Sequence, residues 1–202
     1  MNSMLHNRKR VLLTGNCKYE LAGLHHLLTD IGCEVMYQGI PGNGQYDLVV
    51  IALSAEPLAG WGKHLQNIRE LYAGVHVPMI VLVPPQLQAL RLLKGVARIY
   101  NGRDRLSRLE TVLRQSLDGG LCPAEMEVLT CRRQRTLMSL HMAVSSNTSL
   151  KPANRREYYH RARLVEYVGV DSLHVLCMSG LVYEVCRVSR QPDIPGGKRL
   201  DF

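Results

Sequence analysis

Residues 10–32 read RVLLTGNCKYELAGLHHLLTDIG, and this stretch decides the fold. RVLLTG (10–15) is a short apolar run ending in glycine, the pattern of a strand covered on both faces. YELAGLHHLLTDIG (19–32) then sets Leu21, Leu24, Leu27, Leu28 and Ile31 at helical spacing and stops at Gly32, which predicts a helix. The chain as far as residue 117 repeats that unit. CEVMYQGI (33–40) predicts a second strand, PGNGQ (41–45) a turn, and DLVVIALS (47–54) a third strand, apolar throughout. A helix over 64–74, a fourth strand over 78–85 closed by two prolines, a short helix over 86–96, a weak fifth strand over 97–101 and an amphipathic helix over 105–117 follow. Strands alternating with helices predict an α/β domain with a doubly wound parallel sheet.

The pattern changes after SLDGGLCPAEMEV (116–128), where Gly119, Gly120 and Pro123 break the preceding helix. LTCRRQRTLMSLHMA (129–143) predicts a helix capped by Thr130, with Leu129, Leu137 and Leu140 turned to a core. SSNTSLK (145–151) predicts a polar turn entering a brief helix, interrupted at Pro152. RREYYHRARLVEYVGV (155–170) is the most distinctive stretch of this half, an amphipathic helix with Leu164, Val165 and Val168 on its buried side and Gly169 as C-cap. A last apolar helix over 171–185 starts at a capping Asp171. The organisation expected is a sheet domain over 1–118, a short linker over 119–128, a small all-α domain over 129–188 and a flexible tail over 189–202. Several short helices with a basic penultimate one suggest helix-turn-helix geometry.

The net charge of +8 and pI near 9.4 favour an acidic partner. The charge is local: residues 132–163 hold Arg132, Arg133, Arg135, Lys151, Arg155, Arg156, Arg161 and Arg163 against Glu157 alone. That clustering points to an anion-binding face, although a basic helix is also what a solvated surface helix looks like. The six cysteines form no CxxC pair and no His-x-x-x-His accompanies them, so no metal site is expected and the thiols read as reduced and cytosolic. No apolar h-region follows Arg8–Arg10 and no run is long enough to span a bilayer, so a cytoplasmic protein without membrane contact is expected. GIPGNG (39–44) does not run from a strand into a helix, which argues against a phosphate-cradling loop. His25 and His26 are adjacent on a helix and read as one surface and one packed residue, and Trp61 between two glycines reads as a loop anchor. With no nucleophile–base pair and no cofactor motif, an enzyme is not expected.

VLLTGNCKYELAGLHHLL and YDLVVIALS give residues 8–120 a resemblance to the receiver domains of bacterial response regulators, and hence to the receiver-like, flavodoxin-like version of the doubly wound sheet. The chemical positions depart from that family. Gly15 and Asn16 stand where its metal-binding acidic pair would be, Ala52 where its phosphate-accepting aspartate would be, Pro84 at its hydroxyl residue and Asn101 at its lysine. Holding Mg²⁺ requires a carboxylate cluster, and an alanine methyl cannot be phosphorylated. The first half therefore reads as a pseudo-receiver with a degenerate phosphorylation pocket.

LTCRRQRTLMSLH, SSNTSLK and HRARLVEYVGV, in that order over 129–182, resemble the LuxR/NarL-type helix-turn-helix output domain. Arg133 and Ser149 replace that family's glutamates, the interval around Pro152 is about four residues short, and a start at LCPAEMEVL (121–129) is a competing register. The resemblance implies double-stranded DNA as partner. Tyr158, Tyr159 and Ala162 would face base edges, Arg161 and Arg163 would meet phosphates, and Lys151, Arg155 and Arg156 would add backbone contacts. The expectation is a transcriptional regulator independent of aspartyl phosphorylation, acting as a homodimer or as a heterodimer with another response regulator. The competing expectation is a protein that binds no DNA and titrates another regulator.

Overall fold

A computed structural model describes residues 8–37, 45–119, 131–146, 148, 150–152 and 154–188, the side chains of 131–133 and 186–188 excepted. The first half runs β1 (Arg10–Gly15), α1 (Lys18–Asp30), β2 (Glu34–Tyr37), β3 (Leu48–Ala52), α2 (Lys63–Val75), β4 (Met79–Val83), β5 (Arg98–Asn101) and α3 (Leu106–Leu117). All four strand pairings are parallel and the order is β2-β1-β3-β4-β5. This is the receiver-like, flavodoxin-like doubly wound sheet that the sequence predicts.

Alternation along the strands splits the apolar residues between two faces. Val11, Leu13, Leu48, Val50, Ile80, Leu82 and Tyr100 face α1 and α3, meeting Leu24, Leu28, Leu109 and Leu113 in one cluster. Leu12, Val49, Ile51, Met79, Val81 and Val83 face the other way, where Leu65 and Ile68 of α2 cover part of them.

The rest of that second face is covered by the end of the chain. Helices α4 (Cys131–Ser145), α5 (Arg155–Val168), α6 (Leu173–Met178) and α7 (Leu181–Val188) bring Leu137, Leu140, Leu164, Val168, Leu176, Leu181 and Val182 into the same cluster as the strands. Backbone meets backbone at this seam. The Gly60 and Gly62 amides donate to the Met178 and Ser179 carbonyls at 3.0 and 2.6 Å, and the Arg91 amide donates to Val168 at 2.8 Å. A Cβ on Gly62 would lie 2.9 Å from the Gly180 carbonyl carbon, so only a glycine permits that approach. The two predicted domains thus share one hydrophobic core. Arg69 extends the seam, donating to the Leu92 carbonyl and lying within electrostatic reach of the buried Glu184 on α7.

Three predicted helices differ. Residues 86–96 are not a helix: a single 3-10 turn, Pro85–Leu87, is followed by turns. Leu90, Leu92 and Leu93 are buried there under the C-terminal helices, and the Arg91 amide is bonded across the seam. The brief helix expected over 145–151 is also absent among its described residues. Ser145 and Thr148 turn their hydroxyls onto the His141 and Ala143 carbonyls, which ends α4. The helix over 171–185 is split at Ser179–Gly180, because Gly180 is left-handed and the last carbonyls of α6 bond to Gly60 and Gly62. Residues 38–44, the segment 120–130 with Leu129 and Thr130, and the tail over 189–202 lie outside the described residues.

Candidate nucleic-acid interface and carboxyl edge of the sheet

Helix α5 starts where Asn154 adopts an extended conformation and its side chain accepts the Glu157 amide at 2.9 Å. It ends at Gly169, whose left-handed conformation lets its amide close on the Val165 carbonyl. Between them the apolar stripe of Leu164, Tyr167 and Val168 is buried. The opposite face carries Arg155, Arg156, Tyr158, Tyr159, Ala162 and Arg163, all exposed, with exposed Lys151 just ahead of the helix. Tyr158 and Tyr159 are 65% and 53% exposed, so neither ring is packed into the bundle.

Arg163 is arranged rather than free. Its Nε donates to the Tyr159 hydroxyl at 3.2 Å, its NH1 donates to Glu166 at 2.6 Å, and its guanidinium lies 5.4 Å from the Tyr159 ring centre. The Tyr159 hydroxyl and then the Glu166 carboxylate raise its pKa further above the ordinary arginine value. Arg155 and Arg156 are in no ion pair among the described residues.

Arg161 corrects the sequence reading. It is 6% exposed, its guanidinium bonds to Glu157 one turn earlier and to the Leu150 carbonyl, and its Nε has no hydrogen-bond partner. It cannot meet a phosphate from there. It pins Leu150 to α5 and lies within electrostatic reach of Cys177, whose thiol pKa burial pushes up. With no described helix between α4 and α5, the scaffold helix of a helix-turn-helix is not among the described elements.

Gly15, Asn16, Ala52, Pro84 and Asn101 all lie at or just after strand ends on the carboxyl edge of the sheet. Gly15 and Ala52 are register partners, Pro84 follows β4 and Asn101 ends β5. Ala52 is fully buried, and a Cβ on Gly15 would lie 2.5 Å from the Ala52 carbonyl oxygen. Asn101 bonds to Gln88 and to the Arg103 amide, and Asn16 donates to Glu56 at 3.0 Å. Glu20, which the sequence reading did not single out, reaches the loop after β3. Its carboxylate accepts the Ser54 hydroxyl at 2.6 Å and the Ser54 and Ala55 amides at 3.3 Å. The loop amides after β3 thus already hold an anion belonging to the chain itself. Among the described residues there is no cluster of three metal-ligating side chains, and no helix is long and apolar enough to cross a membrane.

Parallel sheet and strand order define a receiver-like, flavodoxin-like architecture, with the Glu20 carboxylate on the loop after β3. Solved structures of response regulators resemble it at low identity. RcsB of Salmonella typhimurium, in a structure described by its conformational dynamism for DNA interaction, is 14% identical, with 89% of this chain and 99% of that one covered at a TM-score of 0.42. DrrB of Thermotoga maritima, an OmpR/PhoB homologue, is 15% identical over 95% of this chain and 93% of its own, at a TM-score of 0.39. No protein-family model and no curated protein matches the sequence.

Proposed function

We propose that this chain is a non-enzymatic, LuxR/NarL-type regulator that binds double-stranded DNA through the outer face of α5 and needs no aspartyl phosphorylation. The observation that carries it is the exposure, on one helix face, of Arg155, Arg156, Tyr158, Tyr159 and Arg163, with Lys151 beside them. Guanidinium groups bind phosphates bidentately, and tyrosine hydroxyls reach phosphate or base edges. Phosphorylation independence is supported by the Ala52 methyl at the strand end and by the Glu20 carboxylate on the loop amides. Dimerisation, with itself or with an intact response regulator, fits a module that has lost the pocket and kept the sheet.

The lack of a helix between α4 and α5 among the described residues, together with the seam with the sheet, favours a second reading, a protein that titrates another regulator without touching DNA. Fluorescence anisotropy on promoter-length duplex DNA, with and without a co-purified response regulator, separates the two. Binding should fall steeply with salt, and Arg155→Glu with Arg156→Glu should weaken it at least ~10-fold across all sequences. Acetyl phosphate should change neither affinity nor mass. Salt-independent binding, or affinity unmoved by the double charge reversal, refutes the DNA reading.

A further inference from the structure

We infer that the nucleic-acid footprint extends from α5 onto the first half of the chain. There Arg91 and Lys94 grip phosphates of the strand across the groove from those met by Lys151, Arg155 and Arg156. The inference rests on the reading of α5 as a DNA-binding helix and adds a second cationic end to it, supplied by the loop after β4. Helix α5 has 14 residues and is therefore about 21 Å long. Laid across a major groove about 12 Å wide, such a helix brings one end to each backbone.

The two ends of α5 are not equivalent. Arg155 and Arg156 stand in its first turn, exposed, with Lys151 just ahead of them. Toward the other end the exposed face holds one arginine, Arg163, and its guanidinium is bonded to Glu166, which offsets the charge. A helix C-terminus also carries partial negative charge, so it repels a phosphate unless cations are brought to it. Alone, α5 offers a grip at its first end only.

The loop after β4 brings cations to the second end. The Arg91 amide donates to the Val168 carbonyl at 2.8 Å, which sets this residue against the last turn of α5. Its side chain lies there too, since a Cβ on Gly169 would come within 3.0 Å of Arg91 Cγ. Gly169 follows Ala162 by seven residues and Tyr158 by eleven, two and three turns along one stripe, so Arg91 continues the line of those two exposed residues. Lys94 stands one turn on, its amide bonded to the Arg91 carbonyl at 3.0 Å. Both side chains are exposed, and among the described residues neither is in an ion pair. The carboxylates at this end of α5 are Glu166, held by Arg163, and the exposed Asp171, which pairs with neither Arg91 nor Lys94. Two uncompensated cations beside a helix C-terminus are what a second phosphate contact requires.

Anisotropy of a fluorescein-labelled duplex, titrated with the full chain across a salt series, tests the assignment. Arg91→Gln with Lys94→Gln keeps the backbone bonds and the Cγ beside Gly169. It should weaken binding at least ~10-fold at about 0.1 M salt and make the slope of log K against log salt shallower by about 1.8, or about 0.9 for each lost phosphate contact. Lys18→Gln with Arg105→Gln removes the same charge from α1 and from the start of α3, across the sheet from α5, and should leave the slope unchanged. Lys94→Gln alone, with a change of about 0.9, carries the test if the double variant misfolds by circular dichroism. An unchanged slope in a folded variant, an equal change in the control pair, or a loss of affinity that is the same at every salt concentration overturns the assignment, while Arg155→Glu with Arg156→Glu still weakens binding. No duplex binding by the wild-type chain overturns it together with the reading of α5.

Discussion

Replacing Gly169 by alanine tests whether the C-terminal helices are seated on the sheet. Gly169 has a φ of +77°, and a Cβ there would lie 1.9 Å from the Ala89 carbonyl oxygen and 3.0 Å from Cγ of Arg91. The left-handed backbone alone costs an L-residue about 1–2 kcal/mol. Relieving the clash means parting α5 from residues 89–91, which breaks the 2.8 Å bond from the Arg91 amide to the Val168 carbonyl, worth about 1 kcal/mol more. The sum is a destabilisation of about 2–3 kcal/mol. Gly32→Ala supplies the control: its φ is +88° but nothing stands within 4 Å, so it should cost only the conformational share, about 1–2 kcal/mol. Gly62→Ala supplies the converse, since Gly62 is ordinarily helical, with φ −54° and ψ −26°, yet its Cβ would meet the Gly180 and Ser179 backbone at 2.9 and 3.0 Å. Urea unfolding of the three variants, extrapolated to water, measures each term. If Gly169→Ala and Gly32→Ala agree within about 0.5 kcal/mol, and Gly62→Ala is neutral, the seam does not exist in solution.

The two arginines assigned to phosphates should part in stability: Arg161→Met strands Glu157 and the Leu150 carbonyl and should cost about 2 kcal/mol, while the exposed Arg163→Met should stay within about 0.5 kcal/mol. Equal unfolding midpoints would place Arg161 on the surface after all. Stability should also depend on His64, whose folded-state pKa lies below its unfolded value of about 6.5. The unfolded chain then binds more protons, so the contribution is complete above that pH and is lost as pH falls below it. His64→Gln should flatten this limb in urea midpoints taken from pH 5 to 7.5, and an unchanged slope would show that other groups cause it.

What was legible in the sequence was the periodic part. Continuous apolar runs gave β1, β3 and β4, and the leucine spacing of 21–31 gave α1, because a sheet covered on both faces leaves no polar position for ambiguity. Arg161 was legible and was misread. It stands three residues before Leu164 and seven before Val168, inside the buried stripe, with Glu157 one turn earlier to neutralise it. Its charge outweighed its position. The broken last helix carried a signal too, since Ser179–Gly180 interrupts an apolar run. Glu20 carried none: it lies 34 residues from Ser54, and only the closure of the sheet brings the two together. Residues 86–96 failed for a tertiary reason, because leucines at near-helical spacing can equally line a seat for other helices.

That seat changes what the C-terminal half is. Of the two clusters, the one under α1 and α3 is closed by the first half alone, whereas the one containing Val81, Val83 and Leu87 is closed only with Leu164, Val168, Leu176 and Leu181. A freely hinged output domain would leave that second face as an exposed apolar patch, which isolated soluble domains rarely tolerate. The segment after β4, where a crossover helix would stand, instead offers leucines and a backbone amide to α5. The same loop that carries Glu56 and Trp61 continues through Gly60 and Gly62 into the bonds to Met178 and Ser179. The loop at the sheet's carboxyl edge is therefore tied to the end of α6 by two backbone hydrogen bonds, so Gly60 and Gly62 belong to the same seam as Arg91 and Val168.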